Sequence, residues 1–559
     1  MHLTSSTYII IFFFSLIGSA LSIPYLINYL TYSKIVDKPG ERRINKKTIP
    51  RMGGILIFVA VNIAIFVFYK HINFARPVII SSTVIALLGI WDDVRGLKYI
   101  YKLVFQYAAA LILLAFFRPL FNSTEIFGLV LPYPLNYIII LLFIVGAINS
   151  VNLMDGLDGL VSGFAIQVFW VIIILSYISP NPFLLVISSA LLGSILGFLK
   201  FNAFPAKIFL GDTGSLYIGL FLVFTAIYTA VDFGKGTFDL TFPIILLGVP
   251  IVDTLKVIFV RLKGRKNPFH PDQNHLHHII INGSFRHKTT VGFILFISSL
   301  FAMDSLIYLK LYKTAGIVIF ILLGCSLLLM QYILPTILNF NALIITRKKI
   351  INLTEKKVKL FYQFFLPASL ISVMFLIFFL FPFSSKLSTE ELKVILFSVI
   401  GMLIVSLVRR QNDYLKDIYV FFNIAIFFII ANFSSSFFSG NYLSQNIVKY
   451  LMYGALISLS LMFVSFMFQW DKLNKNGKVF LSGLDITLII LLISLYFFNI
   501  IVPSHRFHFI EINFWETIIV FLWYKMIVYF DNRFSKTVYY LSYALPSLAI
   551  LSILIFSAR

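Results

Sequence analysis

Long apolar segments alternate with short polar loops along the whole chain. In the first 340 residues the apolar runs, bounded by polar residues, Pro or Gly, lie near residues 8–29, 53–69, 77–91, 103–117, 133–149, 161–178, 183–199, 215–231, 240–260 and 290–309. Many of these runs approach or reach the roughly 20 residues that an α-helix needs to cross a bilayer. About eight more spans follow between residues 315 and 557. The pattern predicts an all-α, polytopic membrane bundle of about seventeen or eighteen transmembrane helices in total.

The distribution of polar motifs divides this bundle into two domains. Residues 1–340 hold all the clusters of acidic, His and Gly residues between their spans, whereas residues 341–559 have basic loops and almost no such motif. We therefore predict a chemically active domain over 1–340 and an additional transmembrane helical domain of unknown role over 341–559. No sequence repeat relates the two, so a transporter built from inverted repeats receives little support.

The charged residues predict how the chain crosses the membrane. The chain has 559 residues, of which 60% are hydrophobic and 12% charged, and its formal net charge is +22. Lys and Arg concentrate in every second loop, which makes that side cytoplasmic and puts the N-terminus outside. Because the basic residues are not pooled in one domain, nucleic acid is not an expected partner. The first apolar segment precedes a basic loop, the reverse of a signal peptide, so it is predicted to be a retained span.

Two acidic motifs occur at predicted cytoplasmic ends of spans. The first is the pair Asp92 and Asp93, which can hold a metal or leave one carboxylate as a general base; a water-exposed helix end is the alternative. The second is the segment 149–159, in which Asn149, Asn152, Asp155 and Asp158 recur every third residue and would stack on one face of a helix. Carboxylates at membrane depth are costly, and their hard oxygens suit Mg²⁺; an interfacial loop is the alternative reading.

Two further motifs on the same side favour anion binding. In the segment 209–215, Asp212 either caps the following helix or, together with the Gly-rich turn, helps to present backbone N–H groups to phosphate. The segment 261–278 gathers Arg, Lys and four His. His275, His277 and His278 make zinc the obvious rival, but the mixture of Arg, Lys, Asn and His fits an anionic, oxygen-rich ligand better.

Together the four clusters combine groups that bind metals with groups that bind phosphates. Phosphoryl transfer needs a divalent ion, cations that spread charge and a base that exposes the nucleophile. One substrate is expected from water and one from lipid. A transporter or flippase of a lipid-linked sugar is the alternative of another class, but it should place polar residues at mid-span, whereas these motifs lie at span ends.

At these motifs the chain resembles the polyprenyl-phosphate N-acetylhexosamine-1-phosphate transferases, a family that includes the phospho-N-acetylmuramoyl-pentapeptide translocases. The resemblance covers about residues 1–340 and extends to the segments 37–43 and 50–54 and to Lys102 and Gln106. The first loop has Asn45 where the family usually has His. The form of the segment 268–278 resembles the branch that uses UDP-GlcNAc or a related UDP-N-acetylhexosamine more than the branch that uses UDP-MurNAc-pentapeptide.

The resemblance implies a Mg²⁺-dependent reaction, with Mn²⁺ as a possible substitute, at the cytoplasmic face of a bacterial inner membrane. Undecaprenyl phosphate would attack the β-phosphorus of the UDP-sugar, release UMP and begin the synthesis of a cell-envelope glycan. A phospho-N-acetylmuramoyl-pentapeptide transferase is the alternative within enzymes.

The resemblance also implies roles for individual residues. Asn152 and Asp212 would bind Mg²⁺, and Asp92 and Asp93 would position or deprotonate the lipid phosphate. Asp158 would contact the uracil and Phe209 would stack on it. The remaining expected roles are catalysis for Asp155 and also for Asp158, nucleotide binding for Gly211, and binding of substrate phosphate or sugar for Lys102, Arg265, His275, His277 and His278.

Overall fold

The computed structural model describes residues 5–37, 48–69, 71–117, 123–232, 237–265, 275–282, 287–310 and 312–338. The chain separates into two units at residue 341, and all the described residues belong to the first unit. The predicted domain 341–559, with its spans, therefore lies outside the described residues, as do the loop segments 38–47 and 266–274.

The described part is almost entirely helical, as the apolar pattern predicts. Its helices are α1 (Ser5–Tyr32), α2 (Gly54–Phe68), α3 (Ile72–Arg95), α4 (Tyr99–Phe117), α5 (Leu135–Met154), α6 (Leu160–Ile178), α7 (Pro182–Asn202), α8 (Gly211–Thr229), α9 (Thr241–Leu246), α10 (Gly248–Lys263), α11 (Leu276–Asn282), α12 (His287–Lys310) and α13 (Lys313–Leu338). Seven of them are long and apolar enough to cross a membrane, namely α1, α3, α5, α6, α7, α8 and α12. The described chain is thus a polytopic membrane bundle.

The bundle is built around α7 and α8. Both helices are almost wholly buried by protein, whereas more than half of α1, α3 and α5 faces outward. An apolar helix with an exposed apolar face belongs in lipid, so the outer helices make the boundary with the bilayer. The first turn of α8 therefore opens at the centre of one end of the bundle.

The predicted span 240–260 is not one helix. The chain forms a short α9 up to Leu246 and restarts as α10 at Gly248. Pro250 lies in the first turn of α10, where its missing N–H costs nothing, but it cannot continue a helix that began at Thr241. The break gives α10 its own direction, and α10 carries a side chain that anchors the histidine segment described below.

The sequence predicted no strands, but the described residues include six short ones. One sheet pairs β1 (Val36–Asp37) antiparallel with β2 (Ile49–Pro50). The other has the order β4-β3-β6-β5 and consists of β3 (Ser123–Ile126), β4 (Leu129–Leu131), β5 (Val231–Asp232) and β6 (Thr237–Asp239), with a parallel β3–β6 pair. The strands of the second sheet hydrogen-bond the backbone groups where the chain leaves α4 and α8. The second sheet therefore marks the end of the bundle opposite the first turn of α8.

Candidate active site

A lysine joins two carboxylates where α3, α4 and α8 meet. Lys102, in the first turn of α4, has its Nζ 2.6 Å from Asp92 Oδ2 and also hydrogen-bonded to Asp212 Oδ2. Asp92 lies in the last turn of α3, and its second oxygen accepts a 2.6 Å hydrogen bond from the N–H of Leu97. The first motif, Asp92 and Asp93, and the third motif, the segment 209–215, therefore converge. The cation of Lys102 lies between their carboxylates.

The neighbouring Asp93 serves the first turn of α8. Its oxygens accept the N–H groups of Asp212 at 3.1 Å and Thr213 at 3.0 Å, and also the Thr213 hydroxyl at 2.6 Å. These N–H groups have no partner inside the helix, so a buried carboxylate from α3 caps α8. Gly211 is required here, since it has a φ of +73° and a Cβ would lie 2.5 Å from Asp93 Oδ2.

The second motif is only partly helical. Asn149 and Asn152 lie in the last turns of α5, but the helix ends at Met154, so Asp155 and Asp158 follow it in a turn. The expected helical stack of all four residues is therefore wrong, because the glycines of this segment turn the chain, Gly159 at a φ of +77°. Asn152 nevertheless faces α8, since its Oδ1 accepts a 2.5 Å hydrogen bond from Ser215 Oγ, one turn after Asp212.

Asp155 lies within reach of the other carboxylates. Desolvation, followed by repulsion from Asp212, Asp93 and Asp158, raises the pKa of Asp155 to about 8. Three neighbouring carboxylates that oppose the ionisation of Asp155 concentrate acidic groups, and so negative potential, at this turn. Such a potential attracts a divalent cation.

Asp158 connects the second motif with the third. The buried Asp158 accepts a 3.0 Å hydrogen bond from the N–H of Ala206, and Asn202 bonds both the N–H of Gly159 and the carbonyl of Ile208. The segment that carries Phe209 is thereby tied to the turn that carries Asp158. Phe209 itself is only partly buried, so part of it remains accessible.

The histidine segment contacts the second motif. A Cβ at Gly156 would lie 2.2 Å from His277 Nε2, so His277 packs directly against the turn that holds Asp155 and Asp158. Burial, together with its neighbours His278 and His275, lowers the pKa of His277 to about 3. His277 is therefore neutral at physiological pH, and its ring packs against His275, His278 and Gly156 rather than supplying charge.

An unpredicted aspartate holds this segment in place. Asp253 of α10 lies with Oδ2 2.9 Å from His275 Nδ1, and its Oδ1 accepts a 2.8 Å hydrogen bond from the N–H of Leu276, at the start of α11. The sequence could have indicated Asp253 as a site residue, because an acidic residue inside an apolar segment is costly and usually has a partner. The partner itself was not deducible, because it depends on the break between α9 and α10.

Some expected site residues are not brought into this arrangement. Arg265 is exposed beyond the end of α10, next to the segment 266–274 that lies outside the described residues. Within the described residues, no group of three or more His, Cys, Asp or Glu is arranged to hold a metal. A site that uses few protein ligands together with water and substrate oxygens remains compatible with this arrangement.

Comparisons with known proteins find relatives of this chain among membrane transferases. The model of glycosyl transferase family 4 matches residues 75–230. A probable undecaprenyl-phosphate N-acetylglucosaminyl 1-phosphate transferase from Bacillus subtilis is 34% identical over 302 residues, which are 51% of this chain and 82% of the relative. An undecaprenyl-phosphate alpha-N-acetylglucosaminyl 1-phosphate transferase from Thermotoga maritima is 31% identical over 296 residues, 53% of this chain and 88% of the relative. A phospho-N-acetylmuramoyl-pentapeptide-transferase from Bacillus velezensis is 34% identical over 270 residues, 45% of this chain and 81% of the relative.

Proposed function

Since this chain belongs to glycosyl transferase family 4 and is a membrane transferase of phospho-sugars onto undecaprenyl phosphate, we propose that its donor is a UDP-N-acetylhexosamine, most simply UDP-GlcNAc. A phosphate oxygen of undecaprenyl phosphate attacks the β-phosphorus of the donor. The bond from that phosphorus to the oxygen bridging the two phosphates breaks, and UMP leaves with this oxygen. The lipid retains the sugar through a new pyrophosphate.

One observation carries this proposal more than any other. Lys102 joins Asp92 and Asp212 at the point where three helices end, and Asp155 lies within electrostatic range of Asp212. Phosphoryl transfer depends on positioning and on groups that balance the charge of the phosphates, and this arrangement offers both. Asp92 is placed to orient or deprotonate the lipid phosphate, and Asp93 to hold the first turn of α8 in position.

The residues present suit Mg²⁺. Asp212 and Asn152 would hold the ion through a carboxylate and an amide oxygen, the hard ligands that Mg²⁺ prefers. The surroundings of Asp155 support this assignment, because its pKa is raised by desolvation and then by repulsion from Asp212, Asp93 and Asp158, a concentration of acidic groups that a divalent cation would offset. Bound there, the ion would neutralise phosphate oxygens and stabilise UMP as it leaves. Mn²⁺ has the same ligand preference and would serve in its place.

We assign the nucleotide and the sugar to the part of the candidate site that contains the second motif, residues 149–159. We call the space between the ends of α3, α4, α5 and α8 the cleft. Asp158 and Phe209 are proposed to contact the uracil, supported by the hydrogen bonds that tie their two segments together. Gly211, two residues after Phe209 and only partly buried, is proposed to bind the nucleotide through its backbone. The histidine segment is proposed to select the sugar, because His277 packs against Gly156 in the turn beside Asp155.

We place the reaction at the cytoplasmic face of a bacterial inner membrane. Three of the four motifs adjoin or lie in basic loops, residues 95–102, 200–207 and 261–278, which the positive-inside rule assigns to the cytoplasm. UDP-sugars are water-soluble and reach the site from that side, whereas undecaprenyl phosphate reaches it within the membrane. The product is suited to begin a cell-envelope glycan.

A donor panel tests the proposal. The purified protein is mixed with undecaprenyl phosphate, Mg²⁺ and, in turn, UDP-GlcNAc, UDP-GalNAc and UDP-MurNAc-pentapeptide, and UMP release is measured. We expect release with UDP-GlcNAc or its close relative. A preference for UDP-MurNAc-pentapeptide would assign the chain to the translocase branch, and no release with any donor would contradict the proposal.

A further inference from the structure

Arg51 belongs to a segment that is fixed against the active site. The carbonyl of Pro50 accepts a 2.8 Å hydrogen bond from the N–H of Phe209, and the N–H groups of Gly53 and Gly54 donate 3.0 Å hydrogen bonds to the carbonyls of Phe209 and Leu210. The backbone on both sides of Arg51 is therefore paired with the segment that leads directly into α8. These hydrogen bonds fix the position of the Arg51 Cα relative to the first turn of α8.

The guanidinium of Arg51 lies beside Asp93, and its Nε has no hydrogen-bond partner among the described residues. Its Nε lies 4.0 Å from Asp93 Oδ1, which is beyond hydrogen-bonding distance. That oxygen already accepts the N–H of Asp212, and the other oxygen of Asp93 accepts both donors of Thr213. Arg51 Nε is buried, and the structure offers it no acceptor. Since buried donors are nearly always paired, this one indicates an acceptor that a ligand brings.

The other described cation of the cleft differs from Arg51. Lys102 is held by Asp92 and Asp212, so its charge is already balanced by protein. About a third of the Arg51 side chain remains open, with the charge of Asp93 largely engaged by α8. Arg51 is thus the better-placed cation to accept additional negative charge near the first turn of α8.

We infer that Arg51 binds a non-bridging phosphate oxygen of a substrate. The planar fork of a guanidinium matches phosphate geometry, and such charge-assisted hydrogen bonds are strong. This inference rests on the proposed function, which supplies two sources of the same chemistry: the diphosphate of the nucleotide donor and the phosphate of the lipid acceptor.

Steady-state kinetics and nucleotide binding test the inference. Arg51→Gln and Arg51→Lys are compared with the parent by varying the UDP-sugar and undecaprenyl phosphate separately, and UDP binding is measured by calorimetry without lipid. Loss of a charge-assisted hydrogen bond predicts that Arg51→Gln raises one KM about 10- to 100-fold, and that Arg51→Lys, which keeps the charge but loses the fork, has a smaller effect. Arg95→Gln is the matched control. It removes the same charge from an exposed position, the last residue of α3.

The outcomes separate the two sources and the two proposals. A raised KM for the UDP-sugar with weaker UDP binding assigns Arg51 to the donor, and a raised KM for the lipid alone assigns it to the acceptor. Unchanged KM values in Arg51→Gln, or a fall in kcat alone with a lower melting temperature, overturn the inference. If Arg51→Gln does not fold, Arg51→Lys is judged by the same criteria. A parent that releases no UMP refutes the proposed function instead, and UDP binding by the variants then decides the role of Arg51.

Discussion

Adjacent aspartates at the end of α3 do different work. Asp92 faces the cation of Lys102 in the cleft, whereas Asp93 turns to the backbone of α8. The sequence predicts the pair as one unit, because neighbouring carboxylates look alike in a motif. Only the position of α8 separates a residue that can meet substrate from one that positions a helix.

This difference predicts unequal effects of the same substitution. Asp93→Asn puts an amide donor near three donors and should cost about 1–3 kcal/mol of stability, as expected when buried donors lose their acceptor. Asp92→Asn retains the acceptor for Leu97 and should melt closer to the parent, yet lower turnover at least about tenfold if its charge orients the lipid phosphate. Thermal melting and UMP release of both variants decide this, and the reverse order of melting temperatures would refute it.

The pKa of Asp155 predicts a pH-dependent stability. In the folded protein Asp155 keeps its proton up to about pH 8, whereas the unfolded chain releases it near the ordinary pKa of an Asp, 3.8. The folded state therefore binds more protons in this window, and the stability that Asp155 contributes is full below about pH 4 and is lost as the pH rises towards 8. Mg²⁺ favours the ionised cluster, so it should raise the melting temperature more at about pH 8 than at about pH 6.

Melting curves of the parent and of Asp155→Asn, with and without Mg²⁺, check this expectation. The melting temperature of the variant should fall less between about pH 6 and pH 8 than that of the parent, because the Asn side chain does not titrate. Equal declines in the two proteins would show that Asp155 does not titrate in this range.

The residue types of the site were predictable, but their contacts were not. Asp92, Asp155 and Asp212 stand out because charge is scarce in an apolar chain, and this holds without a structure. The bond from Asp253 to His275 and the engagement of Asp93 by α8 join residues that are 22 and about 120 positions apart. No local pattern records such pairs, since they arise only when the helices pack.

At the scale of elements, the site depends on how closely helices approach α8. A Cβ at Gly89 would lie 2.3 Å from Thr213 Cα, and one at Gly54 would lie 2.1 Å from Gly214 Cα. Small residues allow such backbone contact between membrane helices. The approach at Gly89 brings the last turn of α3 beside the first turn of α8, where their carboxylates meet.

Gly89→Ala should therefore separate α3 from α8. The atom that its methyl group meets is backbone and cannot rotate away, so overpacking should cost about 1–3 kcal/mol and reduce UMP release by displacing Asp92 and Asp93. Gly146→Ala on α5 is the control, since its Cβ would have nothing within 4 Å. Melting temperature and activity are measured for both, and a Gly89→Ala protein indistinguishable from Gly146→Ala would refute the packing argument.

The apolar pattern predicts where helices lie better than where they end or break. The prediction for α6, residues 161–178, lies within one residue of the structure at either end. The span 240–260 fails because its composition is continuously apolar while Pro250 forces a new start. The short strands were not predictable from hydropathy, because they form from loop residues whose partners lie far away in the sequence.

At the scale of the molecule, the residues assigned to the chemistry lie in the first unit of the chain. The cleft combines ends of α3, α4, α5 and α8 with α10 and α11, all before residue 341. The predicted division into domains 1–340 and 341–559 stays a prediction, and a truncation tests it.

A chain that ends between Asn339 and Lys359 should insert and retain transferase activity in detergent, because the motif residues all precede the cut. UMP release and size-exclusion chromatography are the measurements. A monodisperse truncation that binds the UDP-sugar but releases no UMP would show that residues after 341 complete the active site or deliver the lipid.

The account is tested most directly by product stoichiometry in the parent and in Asp212→Asn. With UDP-GlcNAc, undecaprenyl phosphate and Mg²⁺, the parent should form UMP and lipid-pyrophosphoryl-sugar in equal amounts, and neither product without the lipid or the ion. Asp212→Asn should lose about 2–4 kcal/mol of transition-state stabilisation, a rate lower by roughly 30- to 1,000-fold. Activity of Asp212→Asn within about threefold of the parent, or UMP release by the parent without a lipid product, would contradict the assignment of this cleft to phospho-sugar transfer.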